Sequence, residues 1–152
     1  MPWRAYRRWL YRGARPNWFA RLQNRATAIA FASGISATRA GTLEVPGRRS
    51  GRTASFPVVV ADYEGERYLV AMLGERTNWV RNVRAAGGRA VLRHGRREEV
   101  RLEEVPPAER PPILRRYLAV APGARAHFPV DRHAPLEEFE PLASRFPVFR
   151  VT

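Results

Sequence analysis

Short β-prone segments separated by glycine-containing turns follow one another from residue 42 onward, and this succession limits the fold more than any other feature. Several of the connections have hairpin length, and a hairpin joins antiparallel neighbours. The six predicted strands cover residues 42–45, 56–63, 67–73, 89–94, 97–105 and 146–151. This pattern predicts an α+β fold, mainly β, with an antiparallel barrel and peripheral helices.

Two helices are predicted among these strands, and Pro135 is predicted to open a further short one with Glu137 and Glu138 in its first turn. Thr77 is a favoured N-cap residue, and it precedes a segment with Trp79 and Val83 on one face. The proline pair at 111–112 opens the second helix, because proline fits the first helical turn. We therefore predict one barrel domain over residues 35–152 after a distinct N-terminal segment.

Residues 1–34 form that N-terminal segment, which is basic, aromatic and helical in its periodicity. Its two faces carry Trp3, Tyr6 and Leu10 on one side and Arg4, Arg8 and Arg12 on another. Such a helix can lie in the interface of an anionic membrane. It can equally pack its aromatic side chains on the barrel, and the periodicity fits both arrangements.

The chain contains no cysteine, which excludes disulfides, thiolate nucleophiles and cysteine-bound metals and fits a reducing cytoplasm. His94 and His133 lack the spacing of metal ligands, so we expect no metal. No apolar run approaches the ~20 residues of a membrane span, and we find no signal-peptide pattern. We expect a cytoplasmic protein, peripheral on the inner membrane face if residues 1–34 bind lipid.

The formal net charge of +13 comes from arginine alone, since the sequence has no lysine. A surplus of this size indicates an anionic partner, and the guanidinium fork binds phosphate and carboxylate with two hydrogen bonds. A general arginine bias of the genome would produce the same surplus without any partner. No recognised nucleic-acid-binding motif accompanies the charge, so no specific nucleic acid is expected.

The turn Gly47-Arg48-Arg49-Ser50-Gly51-Arg52 is the strongest local signal. It places two guanidinium groups, a hydroxyl and several backbone N–H groups in one tight turn, which suits an oxyanion. The spacing matches neither a phosphate-binding P-loop nor a hydrolase elbow. The alternative is a solvated hairpin tip.

A second signal, Asn78-Trp79-x-x-Asn82, follows the third predicted strand at the start of a helix. It can place a ring and an amide against a planar ligand. Alternatively, Trp79 belongs to the core and Asn82 is a surface amide.

The order of these segments resembles the deazaflavin-dependent nitroreductase family, relatives of mycobacterial quinone and nitroimidazole reductases. The resemblance is clear over residues 42–105. It implies a split β-barrel like that of FMN-binding oxidases, with coenzyme F-420 as the cofactor and FMN as second choice. It also implies hydride transfer to a small-molecule acceptor, which is a quinone, a nitro compound or another conjugated organic molecule.

The resemblance also implies cofactor-binding residues. The phosphate would lie on the turn, at Arg48, Arg49 and Ser50. The strand beside the deazaflavin corresponds to Ala54, Ser55, Phe56, Pro57, Val58 and Val59. The ring edge would meet Val70, Ala71, Met72 and Leu73, and the coenzyme would pack on Asn78, Trp79, Val80, Arg81 and Asn82.

Hydride transfer needs no protein nucleophile, because the cofactor carries the chemistry and the protein positions it. His127 is a candidate proton donor by analogy, and a surface histidine is the alternative. The chain departs from the family at Ala54, where many relatives have arginine, and it lacks the family's acceptor-pocket tyrosines over residues 121–127. A non-catalytic protein that binds deazaflavin, FMN or lipid is therefore a second hypothesis. The oligomeric state is open, and a homodimer is one option.

The membrane interpretation of residues 1–34 has a direct test. A chain that lacks this segment should lose binding to anionic liposomes, because it lacks the aromatic face and the arginine stripe. Co-sedimentation of the full and shortened chains measures this, and equal binding by the two would refute the interpretation.

Overall fold

The computed structural model describes residues 39–152 and contains one antiparallel sheet of seven strands in this range. The strands are β1 (Ala40–Pro46), β2 (Thr53–Val59), β3 (Ala61–Tyr63), β4 (Glu66–Val70), β5 (Arg89–His94), β6 (Arg96–Glu104) and β7 (Val148–Val151). Their order across the sheet is β2-β1-β5-β6-β7-β4-β3. The predicted segment 1–34 lies outside the described residues.

The sheet curls into a half-barrel, and its two edge strands, β2 and β3, are consecutive in sequence. Only Val60 separates β2, which pairs with β1, from β3, which pairs with β4. On the opposite side, the first part of β6 pairs with β5 and its last three residues pair with β7. Two half-sheets are thus joined at β6 and at Val60, which is the geometry of a split barrel.

This architecture confirms the predicted fold class. The structure has seven strands where six were predicted, and this difference has a local cause. The predicted strand 56–63 divides at Val60, where the chain passes from one half-sheet to the other. Its first part begins at Thr53, before Pro57. Proline is accommodated there because β2 pairs on one side only within its half-sheet.

Two α-helices accompany the described strands: α1 (Asn78–Ala85) and α2 (Pro111–Val120). Both begin where the sequence predicts, after Thr77 and at the proline pair. Short 3-10 turns cover Pro107–Glu109, Pro122–His127, Leu136–Glu138 and Glu140–Leu142. No helix among residues 39–152 has the length and apolar character needed to cross a membrane.

The core has two parts, one inside the barrel and one between the barrel and α2. Leu43, Leu69, Leu92 and Phe149 belong to the barrel part, where the Trp79 ring lies 5.5 Å from the Phe149 ring. The second part contains Leu114 and Leu118 of α2 and three aromatic residues from the following turns, Phe128, Phe139 and Phe146. Burial of these side chains attaches α2 to the barrel.

A buried arginine links the last strands to α2. Arg110 is 4% exposed, and its guanidinium donates hydrogen bonds to Val105 O at 2.7 Å and Ala143 O at 2.8 Å. Its other terminal nitrogen donates to Glu104 at 3.2 Å. Burial of the guanidinium lowers its pKa. This arginine is therefore structural and unavailable to an anionic ligand.

Gly88 lies where α1 ends and meets β6, and it allows a fold-level prediction. Its φ is +86°, and a Cβ there would lie 2.7 Å from Leu102 O. Gly88→Ala should lower the free energy of unfolding by about 2–4 kcal/mol through backbone strain and this contact. Gly87→Ala is the matched control, since φ is +67° but nothing lies within 4 Å of the added Cβ. Its cost should be about 1 kcal/mol; equal losses in urea unfolding would contradict the contact argument.

Candidate functional site

A cavity of about 610 Å³ opens between β2, the end of β4, the start of α1 and the C-terminal end of α2. Its walls are mostly apolar. The lining residues are Ala40, Phe56, Pro57, Val58, Val59, Val70, Met72, Leu73, Arg76, Thr77, Asn78, Trp79, Tyr117, Ala121, Gly123 and Ala124. A concave apolar site of this size fits a drug-sized organic molecule.

Half of the predicted cofactor-binding residues line this cavity, and they come from three separate segments of the chain. They are Phe56, Pro57, Val58 and Val59 of β2, Val70 at the end of β4 with Met72 and Leu73 after it, and Asn78 and Trp79 of α1. The barrel brings these segments together through the pairing of the half-sheets. The fold therefore brings together, at one cavity, three segments that are separate in the sequence.

The segment between β4 and α1 lines the cavity near its opening. The strand ends at Val70, earlier than the predicted 73, because the chain turns there. Gly74, with a φ of +88°, donates its N–H to Ala71 O at 3.0 Å. The Thr77 hydroxyl donates to Gly74 O at 2.7 Å, so Thr77 precedes α1 without capping it through its side chain. Leu73, 63% exposed, gives the mouth an apolar edge.

The arginine turn is held in place by a buried amide on α1. Gly47 N–H donates to Arg52 O at 2.7 Å and closes the turn, while Ser50 Oγ accepts from Arg52 N at 3.1 Å. The Asn82 side chain, 5% exposed, accepts from Arg48 N at 3.2 Å and from Arg48 Nη1 at 2.9 Å. Arg48, Arg49 and Ser50 are exposed, so their remaining donors face solvent.

Other predicted site residues do not line the cavity. Ala71 and Val80 are buried in the barrel core, and Arg81 is exposed on α1. Ala54 and Ser55 lie earlier on β2 and are half-buried. His127 is exposed and lines a neighbouring pocket of about 440 Å³ that shares Met72 and Leu73 with the main cavity.

The wall formed by α2 was not predicted as part of the site. Tyr117, Ala121, Gly123 and Ala124 line the cavity there. The sequence places Tyr117 on the apolar face of a helix, which indicates a core residue and gives no sign of a cavity beside it. Burial raises the pKa of the Tyr117 phenol, so the hydroxyl stays protonated.

Across residues 39–152, no group of three or more His, Asp or Glu side chains converges in a way that could hold a metal ion. The described cavity combines apolar walls with the polar side chains of Arg76, Asn78 and Tyr117, and Asn82 on the same helix α1 holds the arginine turn.

The architecture and this cavity define the structural class of the protein, which is a split β-barrel with an apolar cavity of ligand size. A solved structure described as the F420-H2 dependent reductase FDR-A superimposes with a TM-score of 0.52 at 16% identity, over 75% of this chain and 94% of that chain. A NimC/NimA family protein from Clostridium acetobutylicum gives a TM-score of 0.53 at 12% identity, over 82% of each chain. A further structure, described as a domain-swapped dimer, gives 0.52 at 14% identity, over 90% of this chain and 99% of that chain. These similarities show the fold.

The particular family follows from the sequence profile that the chain matches. The profile of the F420H(2)-dependent quinone reductase family matches residues 18–137, and the chain belongs to this family. It is therefore an oxidoreductase that depends on coenzyme F-420. No curated protein matches the chain.

The bond between the turn and α1 can be tested through stability. Asn82→Leu keeps most of the side-chain volume but removes the acceptor of two hydrogen bonds, so the free energy of unfolding should fall by about 1–2 kcal/mol. Arg81→Ala, on the exposed side of the same helix, should change it by less than about 0.5 kcal/mol. Urea unfolding measures both, and an unchanged Asn82→Leu protein would contradict the role of the amide.

Proposed function

We propose that the cavity and the arginine turn together bind coenzyme F-420, and that the protein uses it to reduce a quinone. The observation that carries the proposal is the position of α1. The helix lines the apolar cavity with Trp79 at its first turn and holds Arg48 through Asn82 one turn later. A ligand with a flat ring and an anionic tail matches both features at once.

Different residues would bind the two parts of the coenzyme, which are the phosphate with its acidic tail and the deazaflavin ring. Arg48, Arg49 and the Ser50 hydroxyl would hold the phosphate, since exposed guanidinium donors bind such oxygens in pairs. Their charge, together with the net charge of +13, also complements the acidic oligoglutamate tail. Val58, Val59 and the neighbouring part of β2 would lie beside the ring.

When bound, the reduced deazaflavin supplies the hydride, and the chain contributes position and the exclusion of water. The apolar wall from Phe56 to Val59 keeps water away from one side of the ring site. The wall of α2 faces the same cavity and leaves space for the acceptor beside small side chains, Ala121 and Ala124.

A quinone is the preferred acceptor because a flat apolar ring with polar oxygens fits the lining, and the family name supports it. Nitro compounds and other conjugated acceptors have the same general shape and follow as secondary substrates. If residues 1–34 bind the membrane surface, the enzyme would meet quinones where they dissolve, on the inner face of the cell membrane.

We also propose that the protein is a homodimer, which the neighbour described as a domain-swapped dimer supports.

The test is a fluorescence titration with coenzyme F-420. Wild-type protein should bind, and the Arg48→Ala, Arg49→Ala double variant should bind about 100-fold more weakly, because two charge-assisted contacts are lost. The charge-matched control is Arg89→Ala, Arg96→Ala, two exposed arginines at the start of β5 and of β6. Its affinity should change by less than about threefold.

The possible results separate the hypotheses. An equal loss in both double variants would mean that overall charge drives binding and that the turn is not the site. No binding of coenzyme F-420 by the wild-type protein would overturn the proposal, and titration with FMN would then test the second-choice cofactor. Binding without quinone reduction would favour the non-catalytic alternative.

A further inference from the structure

Tyr117 is a buried polar side chain on the wall of the main cavity. Tyr117 is 4% exposed, and the centre of its ring lies 6.3 Å from the centre of the Phe128 ring. Within residues 39–152 no hydrogen bond joins the phenol hydroxyl to another residue. The hydroxyl is not among the fully enclosed side-chain atoms that lack a partner there, so it borders the cavity that Tyr117 lines. A polar group at a mostly apolar wall is satisfied by a ligand or water in that cavity. The hydroxyl is therefore a donor that the fold leaves available.

The other side chains that could hydrogen-bond to a ligand lie on the α1 side of the cavity, and each is either already bonded or exposed. The Thr77 hydroxyl already donates to Gly74 O at 2.7 Å. Arg76 and Asn78 are exposed at the mouth. Tyr117 thus provides a donor on the α2 side of the cavity, whereas we assign the coenzyme ring to residues of β2.

The surroundings of Tyr117 leave room for a ligand. The next turns of the same wall carry Ala121, Gly123 and Ala124, whose side chains are small. A planar molecule that stacks on the coenzyme ring from this side would meet the phenol with its edge. The polar atoms on the edge of a quinone are its carbonyl oxygens.

We propose that Tyr117 donates a hydrogen bond to the carbonyl oxygen of the acceptor and stabilises the negative charge that develops there. This inference rests on the proposed function. The hydride brings two electrons and one hydrogen nucleus to the quinone, which is reduced while the coenzyme is oxidised. The quinone oxygen becomes an anion, and a proton from water completes the hydroquinone.

Tyr117 keeps its proton throughout. Burial raises the pKa of the phenol, so the tyrosinate is strongly disfavoured in this wall. A group of this kind is a poor proton donor but a stable hydrogen-bond donor, as in an oxyanion hole. Activity should therefore show no ionisation of Tyr117 between about pH 6 and 10.

The experiment compares Tyr117→Phe with Tyr68→Phe. Tyr68 is a matched control, because it is 8% exposed, belongs to the same core cluster and lines a different pocket. Steady-state reduction of a water-soluble benzoquinone should show kcat lowered about 10- to 100-fold in Tyr117→Phe and unchanged in Tyr68→Phe. The coenzyme Kd and the Tm of both variants should equal those of the wild-type protein.

Three results would overturn the inference, and they differ in meaning. If Tyr117→Phe binds the coenzyme normally and keeps wild-type kcat, the hydroxyl does not touch the acceptor, while the proposed function stands. If the wild-type protein does not bind coenzyme F-420, the proposed function fails and the inference fails with it. If Tyr117→Phe has a lowered Tm, Ala121→Leu serves as a second variant. It should raise the quinone KM without altering the coenzyme Kd, and an unchanged KM would place the acceptor elsewhere.

Discussion

The passage of one strand between two half-sheets is the constraint on which the rest of the structure depends. At Val60 the chain leaves its pairing with β1 and begins its pairing with β4. The strand residues just before this point, Val58 and Val59, form a wall of the cavity. Because their side chains lie where the two half-sheets meet, they are half-buried without being enclosed in the barrel core. An apolar cavity at this place is a consequence of the way the barrel closes.

Much of the fold could be predicted because the sequence marks its turns and helix starts clearly. The Glu64-Gly65 turn has positive φ at both residues, as a tight hairpin requires. The proline pair at the start of α2 and the alternation in β6 are equally local signals. The segments that line the cavity from β2, β4 and α1 were also found, through their order along the chain and its resemblance to a family.

The rest could not be predicted because it depends on contacts between distant residues. Glu44 is a carboxylate on a predicted strand and carries no sequence sign of burial, yet it is 2% exposed and its carboxylate lies 3.3 Å from Arg93 Nε. Arg110 resembles the many exposed arginines, but it binds backbone carbonyls in the interior. By sequence Tyr117 is a core residue on the apolar face of a helix, yet it lines the cavity. Each of these placements depends on which elements pack together in the folded chain.

The oxygen of Asn82 receives two bonds from Arg48, and this has a thermodynamic consequence. An anion that fixes the guanidinium in its bound direction also fixes the amide, and the amide belongs to the helix whose first turn carries Trp79. By linkage, an anion that orders the turn would therefore also stabilise the helix that carries Asn82. A coenzyme with its full acidic tail would then hold its ring more tightly than a fragment without the tail. On the proposed function, the length of the tail would therefore influence how well the ring is positioned.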